Sequence, residues 1–236
     1  QAEDGIRDIG VTGVQTCALP ICRLGRGARF RMPAPLLRDL ALAASGLLDG
    51  RIGGAPVYPY QPDQIWEALA ITKERDFTYP QSQGADLWRR SLYTFWRRTV
   101  SPANMFDAAD RQTCRVRTAT TCTPLHALTT LNDPTWVEAS RVLAADVMRA
   151  APSTDGRLSA AFRRVVGRVP GQREVAALGR LHGRQREVYA ADPAAAAALL
   201  AAGAAPAAEG LDTVDHAAMT ATCLAIFNLD EALTRE

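Results

Sequence analysis

Beyond residue 32 the chain repeats one pattern: apolar positions at helical spacing, then a short break rich in proline, glycine or asparagine. Leu36, Leu37, Leu40, Ala41, Ala44, Leu47 and Leu48 recur at that spacing behind Pro33 and Pro35, so a helix is predicted over 32–48. Gly50, Gly53 and Gly54 end it, and APVYPYQP (55–62) reads as an extended segment pinned by prolines. A short helix carrying Trp66 is predicted over 63–70. Further helices are predicted over 124–131, 135–150, 157–168, 172–190, 193–202 and 212–229, with breaks at Asn132-Asp133-Pro134, Val169-Pro170-Gly171 and 203–210. Trp136, Val142, Phe162, Val166, Leu178, Leu181, Val188, Leu224 and Phe227 are expected to face inward. The expected fold is mainly α: an irregular multi-helix domain with long polar loops, little or no β, and no fixed-period repeat.

The stretch ADLWRRSLYTFWRR (85–98) is the most unusual. As a helix it sets Trp88, Leu92, Phe95 and Trp96 on one stripe and most of the arginines elsewhere. That reading is preferred over a strand, whose alternation is weaker. Residues 102–121 are irregular and polar.

Composition narrows the class. The 236 residues are 47% hydrophobic and 22% charged, ordinary for a soluble globular chain long enough for a real core. No apolar run suits a membrane span. A net charge of +2 is too small to argue for nucleic acid.

The first 21 residues change the picture more. QAEDGIRD (1–8) and VTGVQTCALPI (11–21) are in-frame translations of two parts of a common sequencing-library adapter, with Ile9 and Gly10 where the variable index would lie. Residues 1–22 are therefore expected to be an artefact that does not pack. Residues 23–236 are expected to form a single helical domain truncated upstream, with 152–236 as a C-terminal subregion. On that reading the lack of a signal peptide says nothing.

Several ordered blocks carry a resemblance: RFRMPAPLLRDLALAASGLL (29–48), GGAPVYPYQPDQIWE (53–67), RRSLYTFWRRT (89–99), FDAADRQTC (106–114), TPLHALTTLNDPTWVEASRVLA (123–144) and FNLDEALTRE (227–236). They resemble the C-terminal domain of unknown function, family 1553, of large planctomycete and verrucomicrobial proteins. The resemblance implies an exported, extracytoplasmic multi-domain protein, often with a haem c domain upstream, whose genes accompany polysaccharide functions. It brings no established activity. The chain departs from the family pattern at Cys122 (usually asparagine), His126 (usually glutamine) and Arg117-Thr118 (usually paired arginines), which puts any polar site there in doubt.

Candidate chemistry is sparse. Haem c attachment needs C-x-x-C-H, which the sequence lacks, so no cofactor is expected in this chain and any haem belongs upstream. Cys114, Cys122 and His126 are too few and too widely spaced for an ordinary zinc site, and two buried thiols or a disulfide compete with that reading. Cys223 reads as core. His182 and His216 are expected on solvated helix faces. Two of the loop acids Asp107, Asp110 and Asp133 could serve a glycosidic hydrolysis as a carboxylate pair, against the simpler reading as caps or ion pairs. Arginine forks with flat rings suit anionic sugars, against the simpler reading that the aromatic residues are core. The binding set is Arg89, Arg90, Tyr93, Arg97, Asp107, Asp110, Arg111, Arg117 and His126. The loop 106–123 is expected to lie against 85–98. The leading function is a structural or binding module contacting anionic polysaccharide and the upstream domains; the alternative is a polysaccharide hydrolase using the loop acids.

Overall fold

Pro33 stands at the N-cap of the first helix, α1 (Ala34–Ser45), and Gly46, at φ 81°, closes it in the left-handed conformation that a side chain would strain. The computed structural model describes residues 30–62, 79–96, 105–107, 121 and 123–235. Within them follow α2 (Pro124–Asn132), α3 (Pro134–Ala150), α4 (Thr154–Val166), α5 (Gln172–Ala191), α6 (Pro193–Leu200), α7 (Thr213–Phe227) and α8 (Asp230–Leu233). A two-residue antiparallel pair, β1 (Phe30–Arg31) with β2 (Thr234–Arg235), joins the first and last described residues. The fold is mainly α.

Local chemistry sets the helix starts. Asp133, Ser153, Asp192 and Asp212 each accept a backbone N–H from the first turn of α3, α4, α6 and α7, and Glu174 reaches back to the Gly171 amide ahead of α5. The core then forms around α7, which packs against α3, α5 and α6. Trp136, Leu143, Val147, Leu158, Phe162, Met219, Cys223 and Ile226 fill it, each at most 2% exposed. α7 is buried almost all round, so its hydroxyls turn inward: Thr220 and Thr222 donate to the carbonyls of His216 and Ala218. No helix among the described residues is long and apolar enough to cross a membrane.

Four expectations need correction. Residues 84–96 do not form a helix. They run as two 3-10 turns, Gly84–Trp88 and Ser91–Tyr93, joined to the preceding loop by parallel bridges Asp49–Arg89 and Val57–Thr94. The reason is competition for carbonyls. Those of Leu87 and Arg89 accept from Arg38, that of Trp88 from the Asp49 amide, and that of Tyr93 from the Val57 amide. Leu92, expected inward, is 75% exposed as a result. Second, His182 and His216 are buried rather than solvated, because α5 and α7 face each other and α7 also meets α3. Third, Val188 is exposed, near the end of α5. Fourth, Leu36 is exposed on α1 while Arg38 takes the buried face. The expectations for 1–22, 63–70, Cys114 and Cys122 lie outside the described residues.

Candidate functional site

The segment singled out for its arginines is held in place by one buried side chain. Arg38 of α1, fully buried, donates Nη1 to the Arg89 carbonyl (2.9 Å) and Ser91 Oγ (3.2 Å), and Nη2 to the Leu87 carbonyl (2.7 Å). Burial lowers its proton affinity, and Asp39 beside it works the other way. Asp39 accepts from the Ser91 amide at 2.7 Å and lies 3.9 Å from Arg90 Nε.

Arg89 follows from that placement. It is 4% exposed and turns back under the 51–55 loop, donating to the carbonyls of Arg51, Gly53 and Ala55. Its guanidinium lies 4.1 Å over the Tyr93 ring, and the Tyr93 hydroxyl accepts from the Gly53 amide at 2.8 Å. Gly53 and Gly54 take φ of 80° and 95°, the left-handed region that favours glycine. Among the described residues no carboxylate comes within 4.0 Å of the Arg89 guanidinium.

Around this turn opens a shallow cleft of about 450 Å³, lined by Arg51, Gly53, Gly54, Ser82, Asp86 and Arg89, among others. Arg51 stands at its mouth with its side chain 60% exposed, at 2.6 Å from both Asp49 and Asp86. The Arg51 amide, more than any other group, holds the Asp49 carboxyl below its usual range, and those ion pairs raise the Arg51 proton affinity. Tyr58, next to Val57 of the cleft lining, stacks on Phe95 at 4.8 Å.

Asp107 and His126, two more of the predicted residues, also meet. Asp107 sits at φ 59°, a strained conformation for a residue with a side chain. Both its oxygens accept from Thr121, at 2.6 Å from the amide and 2.7 Å from the hydroxyl. His126 places Nε2 at 3.9 Å from Asp107 and Nδ1 at 3.3 Å from the Thr121 carbonyl, with Phe106 stacked at 4.1 Å. These polar atoms face one another within the cluster, which braces the start of α2. Among the described residues no three His, Cys, Asp or Glu side chains gather to hold a metal. Arg97, Asp110, Arg111 and Arg117 lie outside the described residues, as does most of the loop 106–123.

The strongest polar centre is one that the sequence reading missed. Glu138 of α3 is fully buried and accepts from Trp88 Nε1 (3.0 Å), the Tyr60 hydroxyl (3.2 Å) and the Ala205 amide (2.6 Å). Tyr60 in turn accepts from the Ala204 amide, and burial, with the Glu138 charge second, raises its proton affinity. Arg141, one turn on, donates to the carbonyls of Ala205 and Pro206. The available signal was positional: Glu138 falls between Trp136 and Leu143, which are both buried on the same helix. Each donor here is a protein group, so the carboxylate anchors three segments.

A model of the family described as PSD1, protein of unknown function (DUF1553), matches residues 22–182. No curated protein and no solved structure matches the chain. α7, around which the core forms, lies beyond the matched residues.

Proposed function

This chain belongs to the DUF1553 family, and from that premise we propose that it is a non-catalytic binding module for an anionic polysaccharide, taken at the Gly53–Gly54 cleft. One observation carries the reading: Arg89 lines the cleft as a buried cation without a carboxylate partner among the described residues, with Arg51 exposed at the mouth. A buried charge gains from pairing, and a sulfate or carboxylate group matches the guanidinium fork. Arg51 can exchange Asp86, itself 52% exposed, for a ligand anion. Arg90, with its side chain 48% exposed, adds a second cation on the same segment.

The hydrolase alternative finds less support. Of its loop acids, Asp107 is engaged by the Thr121 amide and hydroxyl, and Asp133 accepts from the Thr135 amide as the cap of α3. We read residues 23–236 as one domain, since the family match opens at residue 22 and the core depends on α7 beyond it. The module belongs, on this reading, to an exported, haem c-linked protein acting outside the cytoplasm, with the haem held upstream.

Titration with dextran sulfate and with neutral dextran tests this. Dextran sulfate should bind at low salt and weaken as salt rises, while dextran should not bind. Arg51→Gln should weaken binding about tenfold, the worth of one charge-assisted hydrogen bond, with an unchanged circular dichroism spectrum. Absence of dextran sulfate binding at low salt ends the proposal.

A further inference from the structure

A second cleft, of about 690 Å³, opens between α4, α5 and the α8–β2 segment. That volume lies within the range of small-molecule sites, roughly 300–1,000 Å³. Its floor is apolar: Phe162, Val166, Leu178 and Leu229 line it. Its mouth is polar, with Glu174, Asp230, Glu231 and Arg235.

The charges at the mouth are not equivalent. Arg168 binds both carboxylates side by side, reaching Glu174 and Glu231 at 2.6 Å each, and lies 4.9 Å over the Phe162 ring. Glu174 accepts from the Gly171 amide as well. These two acids are therefore committed to the protein. Arg235 differs. Its Nη1 reaches only two backbone carbonyls, of Val166 at 3.5 Å and Glu231 at 3.4 Å, both at the long limit of a hydrogen bond. No carboxylate among the described residues comes within 4.0 Å of it. An apolar floor next to a cation with no acid partner among the described residues is complementary to a small apolar carboxylate.

We propose that this cleft binds a small amphiphile with a carboxylate head and an aromatic or branched apolar body, the head on Arg235 and the body over Phe162, Val166, Leu178 and Leu229. The guanidinium fork receives a carboxylate through two parallel bonds, and displacing water from the floor drives the body in. The site does not depend on the polysaccharide reading.

Isothermal titration of the full chain with 2-naphthoate tests it, beside 2-naphthylmethylammonium as the probe of opposite charge. One 2-naphthoate should bind per chain, about tenfold more weakly in Arg235→Gln, the scale of a charge-assisted pair. Ala177→Trp, which puts a ring into the cleft from an exposed position of α5, should abolish binding while leaving the circular dichroism spectrum unchanged. Arg51→Gln should leave it unaltered, which separates this cleft from the first. Failure of 2-naphthoate to saturate, equal or tighter binding of the ammonium probe, or full binding by either Arg235→Gln or Ala177→Trp overturns the proposal. In the ammonium case Glu174, Asp230 and Glu231 decide the site instead.

Discussion

The indole N–H of Trp88 donates to the Glu138 carboxylate across 3.0 Å, joining positions 50 residues apart. With Tyr60 and Ala205 on the same carboxylate, α3 holds the extended 57–60 segment, the 84–88 turn and the loop after α6 in one place. That junction supports the turn carrying Arg89, so the cleft proposed for the anion depends on it.

Glu138→Ala should strand three donors in a buried setting and cost about 3 kcal/mol or more, since each unsatisfied buried group carries about 1–3. Glu138→Gln, which keeps the shape and one acceptor oxygen, should cost less. Urea denaturation reads both as a lower midpoint at unchanged slope. A loss below about 1 kcal/mol for the alanine variant would show that Glu138 is not the anchor.

Gly203 and Gly210 offer a matched comparison. Both have positive φ, 86° and 77°. A Cβ on Gly203 would stand 2.6 Å from the Glu138 side chain, whereas nothing lies within 4 Å at Gly210. Gly210→Ala should therefore show only the backbone cost, about 1–2 kcal/mol. Gly203→Ala adds the clash and should destabilise clearly more in thermal melts; equal losses would contradict the close packing.

Phe162, 2% exposed, packs in the core and lines the second cleft. Phe162→Ala should cost roughly 3–5 kcal/mol. A change below about 1 kcal/mol in chemical denaturation would remove it from the core.

Acid should destabilise the fold through its buried histidines. Burial, above all, holds His216 below its ordinary range while its Nε2–H donates to the Arg141 carbonyl. His182 shifts the same way, against the opposing pull of Asp215. A lowered folded pKa means that the unfolded chain binds protons more readily, so this stability is full above the unfolded value of about 6.5 and falls as pH drops through it. Melting temperatures at about pH 7.5 and 5.5 should differ, and less so in His216→Gln, which keeps a donor but cannot titrate. An identical drop in the variant would exclude His216.

Much of the helical framework is legible in the amino-acid pattern. The apolar spacing of α3, α4, α5 and α7 places them within a few residues of their observed bounds, because i, i+3 and i+4 neighbours are set by the chain itself. Caps such as Asp133 are readable for the same reason, and Phe162, Leu178, Leu224 and Phe227 lie on the buried side as their spacing indicates. Of the predicted binding residues, the structure pairs Arg89 with Tyr93 and Asp107 with His126, while Arg90 faces Asp39.

What the sequence by itself determined was the family, the mainly α class and the local helices, all properties of short stretches read in order. The tertiary structure alone decided the path of 84–96, where Arg38 and the Val57 segment took carbonyls that a helix would have kept. It alone decided that Glu138, His182 and His216 are buried, and that Arg89 and Arg235 lack acid partners among the described residues. The physical reason is range. A helical stripe is a contact between near neighbours, but the fate of a charge or a carbonyl depends on what distant parts of the chain bring to it.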